Sequence, residues 1–257
     1  MMGKAIYMPN GAASEYAKYA CNFYCGCSNS CVYCFNKRWG WGDVPTLKKC
    51  FKTESHALEV FEMELMANLP ELQKHGFLLS FTTDPLLADC SDLTWEATMM
   101  AMEHDVPVKF LTKTVGVWTE QIIEHMHDSW KKFIAIGFTL TGRDELEPNA
   151  STNAERIKAM RKLHDAGFRV WCSAEPIINI KNTMDMIGKT YEFCDHYKIG
   201  ILSGKRYDKD ELQKFIVWCS GSNKPIYFKD SLLSQAGIRR EDLSANCVDR
   251  NFKIWEL

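Results

Sequence analysis

The chain has 257 residues, of which 46% are hydrophobic and 25% are charged, the usual balance of a soluble globular enzyme. Its 33 acidic residues outnumber its 31 basic residues, which excludes a global positive field that would draw it to nucleic acid or membrane. No apolar run is long enough to span a bilayer, and the first residues lack the apolar segment of a signal peptide. We therefore expect a cytosolic protein without a membrane span.

Strands and helices are predicted to alternate after residue 50. Ala57, Phe61 and Leu65 recur at helical spacing, and a capping box at Thr152 and Glu155 opens a later helix. In chain order the pattern predicts a helix near 54–68, a strand over 76–81, a helix around 95–102, a strand over 106–111, a helix over 117–126, a strand over 133–140, a helix over 152–167, a strand over 168–174, a helix near 183–194, a strand over 198–202, a helix near 209–220 and a strand near 225–228.

This alternation implies an α/β fold with parallel strands and right-handed crossovers. An open doubly wound sheet and a complete or partial β/α barrel both fit, and periodicity does not choose between them. In either fold the chemistry lies at the carboxyl ends of the strands. The chain has no linker or repeat, so we predict a single domain. It consists of an N-terminal segment (1–52), the β/α repeats (53–230) and a C-terminal extension (231–257).

Eleven cysteines are present, and five of them lie between positions 21 and 34. Thiols stay reduced in the cytosol, so clustered cysteines indicate a metal or redox site rather than disulfides. Cys27, Cys31 and Cys34 follow the pattern Cys-x3-Cys-x2-Cys. Three thiolates at this spacing can surround a [4Fe–4S] cluster and leave one iron without a protein ligand, as a reactive cluster requires.

A structural zinc site is the alternative, with Cys25 or Cys50 as the fourth thiolate. Zinc sites of this kind usually contain two paired Cys-x2-Cys or Cys-x2-His units. The chain has one such pair near its N-terminus, Cys31 and Cys34, so the spacing favours the iron–sulfur cluster.

The cysteine motif, with the aromatic Tyr33 before its last cysteine, resembles the signature of the radical S-adenosylmethionine (SAM) superfamily, and in particular its spore photoproduct lyase-like branch. The resemblance extends over most of residues 4–230. The segments that carry it are 20–24, 80–85, 110–114, 137–141 and 147–176.

The resemblance implies a partial (β/α)6-type radical SAM barrel with a [4Fe–4S] cluster and SAM as cofactors. In this family SAM chelates the open iron, and its reductive cleavage gives methionine and a 5′-deoxyadenosyl radical that abstracts hydrogen from a substrate. An electron donor such as flavodoxin or ferredoxin is an implied partner. The protein's own tasks are to position SAM, exclude water and direct the radical.

The resemblance also implies SAM-binding residues at the strand ends. Thr82, Thr83 and Asp84 would bind the methionine amino group and the ribose, although Thr-Asp-Pro is also good turn chemistry. Lys113, at the end of the next strand, would reach the ribose or the SAM carboxylate, although a lone lysine is more often exposed. Tyr33 is expected to pack near the cluster and the adenine.

Four further residues complete the predicted site. Thr139 and Thr141 alternate with Leu140 and so project from one face of a strand, where they can hydrogen-bond SAM if that face is the barrel interior. The Arg156 guanidinium can clamp a carboxylate, and Glu175 ends a strand; pairing of these charges with neighbouring residues is the alternative.

The substrate and the hydrogen donor are not defined by the sequence. A nucleic-acid base or nucleotide is a candidate substrate through the resemblance. No cysteine matches the family's hydrogen donor by local motif. Cys172, on a central strand, fits a buried small hydrophobic residue, and it is the candidate catalytic cysteine to be tested as a thiyl relay.

Other functional classes fit less well. A non-catalytic zinc- or iron–sulfur-binding structural module is the main alternative. An ordinary SAM-dependent methyltransferase would carry a Gly-rich loop after an early strand, and a ferredoxin would have a fourth closely spaced cysteine in a much shorter chain.

Overall fold

The computed structural model describes residues 4–39 and 48–257. Within these ranges ten strands are present: β1 (Ile6–Tyr7), β2 (Ala20–Cys21), β3 (Tyr24–Cys25), β4 (Lys48–Lys49), β5 (Phe77–Leu79), β6 (Val108–Thr112), β7 (Ile134–Thr139), β8 (Arg169–Ile177), β9 (His196–Ile201) and β10 (Ile226–Phe228). The α-helices in the same ranges are α1 (Glu54–Ala67), α2 (Leu69–His75), α3 (Ser91–Glu103), α4 (Trp118–His125), α5 (Asp128–Lys131), α6 (Asn153–Asp165), α7 (Ile180–Thr190), α8 (Lys209–Ser220) and α9 (Asp230–Ala236).

One sheet organises the fold, in the strand order β1-β2-β5-β6-β7-β8-β9-β10. Strand β1 is antiparallel to β2, and every other pair in this sheet is parallel. Helices follow each strand from β5 to β10, as a βαβ connection requires. The prediction of an α/β fold with parallel strands in a partial barrel is confirmed.

Local sequence signals explain several element boundaries. The capping box forms as predicted, with the Thr152 and Glu155 side chains satisfying each other's backbone amides at the start of α6. Helix α7 begins at Ile180 rather than at 183, because the Asn179 side chain accepts a hydrogen bond from the amide of Asn182 and caps it there. Strand β9 begins at His196, two residues before the predicted start.

Side chains alternate between the two faces of the sheet. On β6, Val108 and Phe110 belong to the large apolar core, while Leu111 packs against the cluster around Tyr16. We call the face that carries this second cluster the inner face. Its buried members are Tyr16, Ala17, Ala20, Leu78, Ala135, Trp171, Ile254 and Trp255.

The indole of Trp171 lies across the inner face directly on Gly137. A Cβ atom added to Gly137 would be 2.1 Å from Trp171 Cε2, so only glycine leaves room for the ring. Trp255, in the 3₁₀ helix Ile254–Glu256 near the C-terminus, covers the same face beside Lys109. The C-terminal extension is thus part of the inner-face core.

The segment before β2 crosses the inner face to the far edge of the sheet. Glu15 ends the 3₁₀ helix Gly11–Glu15, and its carboxylate accepts hydrogen bonds from the Tyr227 hydroxyl (2.9 Å) and the Asp230 amide (2.8 Å). A residue that precedes the first parallel strand is therefore bound to the last strand, β10, and to the start of α9.

Within residues 4–39 and 48–257, no helix combines the length and the apolar character needed to cross a membrane.

Candidate active site

The loop that carries Cys27, Cys31 and Cys34 (the cysteine loop, residues 25–36) lies at the carboxyl end of β5. Its first turn is fixed to the residues after that strand: the Gly26 amide donates to the Thr82 carbonyl (3.0 Å), and the Thr82 hydroxyl donates to the Tyr24 carbonyl (2.5 Å). Gly26 has φ +97°, a conformation that favours glycine and turns the chain sharply there.

Asp84 joins the cysteine loop to the ends of two strands. One oxygen, Oδ2, accepts from Asn29 Nδ2 (2.8 Å), the Lys113 amide (2.7 Å) and the Thr114 hydroxyl (3.1 Å). The other, Oδ1, accepts from the Thr112 hydroxyl (2.6 Å) and the Leu86 amide (3.1 Å). The carboxylate is buried and fully occupied by protein donors. Asp84 therefore holds the loop and the end of β6 together.

Tyr33 is anchored from the opposite side of the loop. Its hydroxyl donates to Glu147 Oε1, and Glu147 Oε2 accepts from Arg156 Nη2 at 2.7 Å. The remaining guanidinium bonds go to the carbonyls of Thr139 (2.8 Å) and Ser151 (2.7 Å). The carboxylate that Arg156 binds is Glu147, so the structure shows the alternative, in which this charge pairs with another protein residue.

Lys113 places a positive charge beside the cysteine loop. Its ammonium nitrogen lies 5.6 Å from the centroid of the Tyr33 ring. Burial lowers the pKa of Lys113, but the neighbouring Cys31 and Glu147 outweigh burial and hold that pKa above its ordinary value. The lysine therefore stays charged at neutral pH, and its charge faces the space beside Cys31.

Cys27, Cys31 and Cys34 form no disulfide, and their side chains are partly or fully buried. Burial, followed by the charge of Asp84, raises the pKa of the Cys27 thiol to about 11, while backbone amides of Asn29 and Asp84 that donate to the sulfur act in the opposite direction. Burial likewise raises the pKa of Cys31, and Lys113 opposes it. Amide donors and a nearby cation stabilise a thiolate, which is the form that binds iron.

The thiols of Cys27, Cys31 and Cys34 therefore fit an iron–sulfur cluster in their chemistry: one loop carries all three, and amide donors are directed at Cys27. In the part of the chain that the structure describes, no three His, Cys, Asp or Glu side chains are grouped closely enough to hold a single metal ion.

The two predicted threonines lie at the carboxyl end of β7, where Thr139 is the last strand residue and Thr141 follows it. Thr139 and Thr141 are both buried, and Thr139 lies opposite Ser173 of β8. The Thr141 hydroxyl accepts from the Arg143 amide (3.3 Å), so it is used within its own turn. Thr83 is buried as well, and its hydroxyl lies 4.0 Å from the sulfur of Cys90.

Glu175 belongs to a separate polar network on the inner face, which we call the β8–β10 network. Its Oε1 accepts from Lys229 Nζ (2.9 Å), and its Oε2 accepts from the Tyr16 hydroxyl. Tyr16 also shares a hydrogen bond with Ser173 (3.0 Å). Glu175 is the most accessible charged member, with 22% of its side chain exposed against 5% for Lys229.

Cys172 is not brought to the site. It lies in the large core between the sheet and the helices, whereas its neighbour Trp171 belongs to the inner-face cluster. Burial holds the pKa of its thiol well above the ordinary value. The structure therefore places Cys172 on the helix side of the sheet, on the face opposite the inner-face cluster.

Sequence reasoning missed several residues of these networks. Glu15, Tyr16 and Lys198 carry no motif, because they gain partners only when distant segments meet. Lys198 Nζ donates to the Glu15 carbonyl. Lys229 directly follows β10, so the strand-end rule that selected Lys113 would also have found it.

Comparison with known proteins identifies the family and the fold. The family model of the radical SAM superfamily matches residues 21–194. An uncharacterized protein of Methanocaldococcus jannaschii is 24% identical over 210 residues, which cover 74% of this chain and 72% of that protein.

Two solved structures share the fold. Spore photoproduct lyase complexed with dinucleoside spore photoproduct has a TM-score of 0.56 at 18% identity, covering 75% of this chain and 58% of that one. Streptococcus suis SuiB bound to S-adenosylmethionine has a TM-score of 0.56 at 13% identity, covering 83% of this chain and 47% of that one. This chain thus spans about half the length of these two proteins. The family match includes more than half of the 257 residues, and the chain belongs to the radical SAM superfamily.

Proposed function

We propose that this radical SAM enzyme binds a [4Fe–4S] cluster through Cys27, Cys31 and Cys34 and cleaves SAM reductively. The observation that supports this most strongly is the double anchoring of the cysteine loop, by Asp84 on one side and Glu147 on the other. The anchors bring three free thiols to the carboxyl ends of the parallel strands, beside Lys113. When bound, the cluster supplies the electron that breaks the SAM sulfonium bond.

We assign three roles to the residues around the cysteine loop. The Lys113 ammonium is suited to pair with the SAM carboxylate, since it is charged and faces the loop. Thr82, Thr83, Thr139 and Thr141 form the polar wall beside it. Asp84 and Arg156 act by holding other groups, because protein atoms already occupy their hydrogen-bonding positions.

The substrate is proposed to be a nucleic-acid base or nucleotide. The similarity to a spore photoproduct lyase structure that holds a dinucleoside supports this class. SuiB, of the same fold, has been solved with its precursor peptide SuiA, so a peptide is the competing class. Glu175 is the partly exposed charged group of the inner face and is proposed to contact SAM or substrate. The role of Cys172 as a thiyl relay stays a prediction, which retention of full activity by Cys172→Ala would contradict.

The cofactor assignment can be tested by metal analysis. The chain is purified and reconstituted without oxygen, and iron, sulfide and zinc are measured for the native protein and for a variant with Cys27, Cys31 and Cys34 changed to alanine. We expect about four irons and four sulfides per native chain and none in the variant. Cys219→Ala, which removes a buried cysteine of the helix-side core, is the control and should keep its iron. Zinc in place of iron would show that the loop is a structural module.

The electron donor is proposed to be a flavodoxin or a ferredoxin, and the enzyme is proposed to act in the cytosol.

A further inference from the structure

The contacts of Tyr33 form a continuous chain from the cysteine loop to α6. The tyrosine hydroxyl donates to Glu147, and Glu147 accepts a second bond from Arg156 at 2.7 Å. Arg156 is the fourth residue of α6, so it is carried by a regular helix with a complete capping box. These hydrogen bonds therefore connect Tyr33, which lies between the predicted cluster ligands Cys31 and Cys34, to the regular helix α6.

The Glu147–Arg156 pair is completely buried, with both side chains 0% exposed. A buried ion pair seldom stabilises a protein more than apolar side chains of the same size would, because both charges must leave water. We therefore explain the buried Glu147–Arg156 pair by the groups that it positions rather than by a contribution to the free energy of unfolding. Besides the carbonyls of Thr139 and Ser151, the pair binds the Tyr33 hydroxyl of the cysteine loop.

The segment around Glu147 also supports the loop through its backbone. The Val32 amide donates to the Leu146 carbonyl (2.9 Å), and Asn149 Nδ2 donates to the Ser28 carbonyl (2.9 Å). Residues 146–149 thus bind the loop at three points: before Cys31, between Cys31 and Cys34, and through the Tyr33 side chain. No motif assigned a role to Glu147.

We propose that Glu147 is a positioning residue for the cluster, an inference that rests on the proposed function. Held by Arg156, its carboxylate fixes Tyr33, and with it the Cys31–Cys34 turn, against residues 146–149. The same bond fixes the Tyr33 ring beside Lys113. The pair also places one negative and one positive charge close enough to Cys31 to act on its thiol.

The test compares variants of the reconstituted protein. Tyr33→Phe keeps the ring and removes only the hydroxyl, and Glu147→Gln keeps the size and removes the charge. Tyr191→Phe, which alters a partly exposed tyrosine, and Glu192→Gln, which breaks a surface pair with Arg161, are the matched controls. The rate of iron loss to a chelator and the midpoint potential of the cluster are measured for each protein.

We expect Tyr33→Phe to lose iron about tenfold faster than the native protein, since a hydrogen bond to a charged group is removed, and both controls to keep the native rate. Glu147→Gln should raise the midpoint potential by removing a negative charge, and Arg156→Gln should lower it. Loosening of the loop alone would move both potentials in one direction.

Native rates of iron loss in both Tyr33→Phe and Glu147→Gln would overturn the proposal, as would potentials that shift together in Glu147→Gln and Arg156→Gln. Tyr33→Phe is mild enough to fold, so a folding defect in the charge variants leaves the iron-loss test valid. A native protein that binds no iron would instead refute the proposed function, and the two failures are thereby distinguished.

Discussion

The ammonium nitrogen of Lys229 lies 3.4 Å from the carboxylate of Glu15, although the two residues are at opposite ends of the chain. Lys229 follows the last strand, and Glu15 precedes the first parallel one. Lys229 also contacts Glu175 at 2.9 Å. One lysine therefore joins the N-terminal segment, β8 and the end of β10 across the inner face.

Removing this lysine should destabilise the protein strongly. Lys229→Met removes the cation that pairs with buried Glu15 and partly buried Glu175, and we expect a loss of about 3–5 kcal/mol in the free energy of unfolding, measured with urea. Lys189→Met, which breaks an exposed pair with Asp185, should cost about 0.5 kcal/mol or less. Equal effects of the two substitutions would show that the β8–β10 network is not stabilised by Lys229.

Gly200 is the residue that makes room for this network. A Cβ atom at Gly200 would lie 2.7 Å from Lys229 Cδ and 2.8 Å from Glu175 Cδ. We expect Gly200→Ala to destabilise the protein by about 1–3 kcal/mol through overpacking, measured by urea unfolding. Gly188→Ala is the control: it lies inside α7 with no atom within 4 Å, and it should stabilise by about 0.5–1 kcal/mol. Effects of the same sign would contradict the packing argument.

Asp84 should be more sensitive than an exposed aspartate, because it accepts five hydrogen bonds. In Asp84→Asn an NH2 group replaces one acceptor oxygen. The protein donors that faced this oxygen then face another donor and lose their hydrogen bonds. The expected loss is about 3 kcal/mol in the free energy of unfolding. Asp185→Asn, at a half-exposed surface pair, should change it by less than about 0.5 kcal/mol. A loss below about 1 kcal/mol at Asp84 would mean that the loop is not held by this carboxylate.

Lys109 predicts a pH dependence of stability. Burial lowers its pKa from 10.5 to about 8. Between these pH values the unfolded chain binds the proton and the folded protein does not, so this group makes stability rise with pH in that window. Below pH 8 its charge is retained in both states, and the full burial cost is present.

Lys109→Met should therefore stabilise the protein, by about 2 kcal/mol more at pH 7 than at pH 9.5. The free energy of unfolding of both proteins is measured with urea at the two pH values. Subtracting the native value from the variant value at each pH cancels most contributions from other titrating groups. His196 and Lys198 are the neighbouring bases, and removal of the Lys109 charge relieves both. A stability difference that does not change with pH would refute the shifted pKa.

The strand–helix alternation was predictable because each element buries one apolar face and so keeps a clear period. Strand β9 is an exception, because it begins two residues before its predicted start. His196 and Lys198 interrupt its apolar run, yet both are buried on the inner face. Lys198 is accommodated by the Glu15 carbonyl and by the rings of Tyr16 and Tyr227, at 5.1 Å and 4.6 Å. Short-range patterns do not contain partners of that kind.

In the candidate site, too, individual residues could be predicted from the sequence, whereas their tertiary partners could not. Asp84, Lys113 and Glu175 were predicted through the family resemblance and from their places near the ends of predicted strands, since the carboxyl ends of parallel strands meet. Their partners could not be read from the sequence, since Asn29, Glu147 and Lys229 become neighbours only through tertiary folding. Arg156 illustrates the consequence: its residue type suggested a cofactor clamp, and the fold directs it to Glu147.

The most direct test of the central claim is SAM cleavage by the reconstituted protein. Native chain, SAM and dithionite are combined without oxygen, and 5′-deoxyadenosine is quantified by chromatography, first alone and then with a dinucleotide or a peptide as candidate substrate. The control is the variant with Cys27, Cys31 and Cys34 changed to alanine. Radical SAM chemistry at these cysteines predicts 5′-deoxyadenosine from the native chain and none from the variant. Equal amounts from both, or none from a native chain that holds its full iron content and has been given each substrate class, would contradict it.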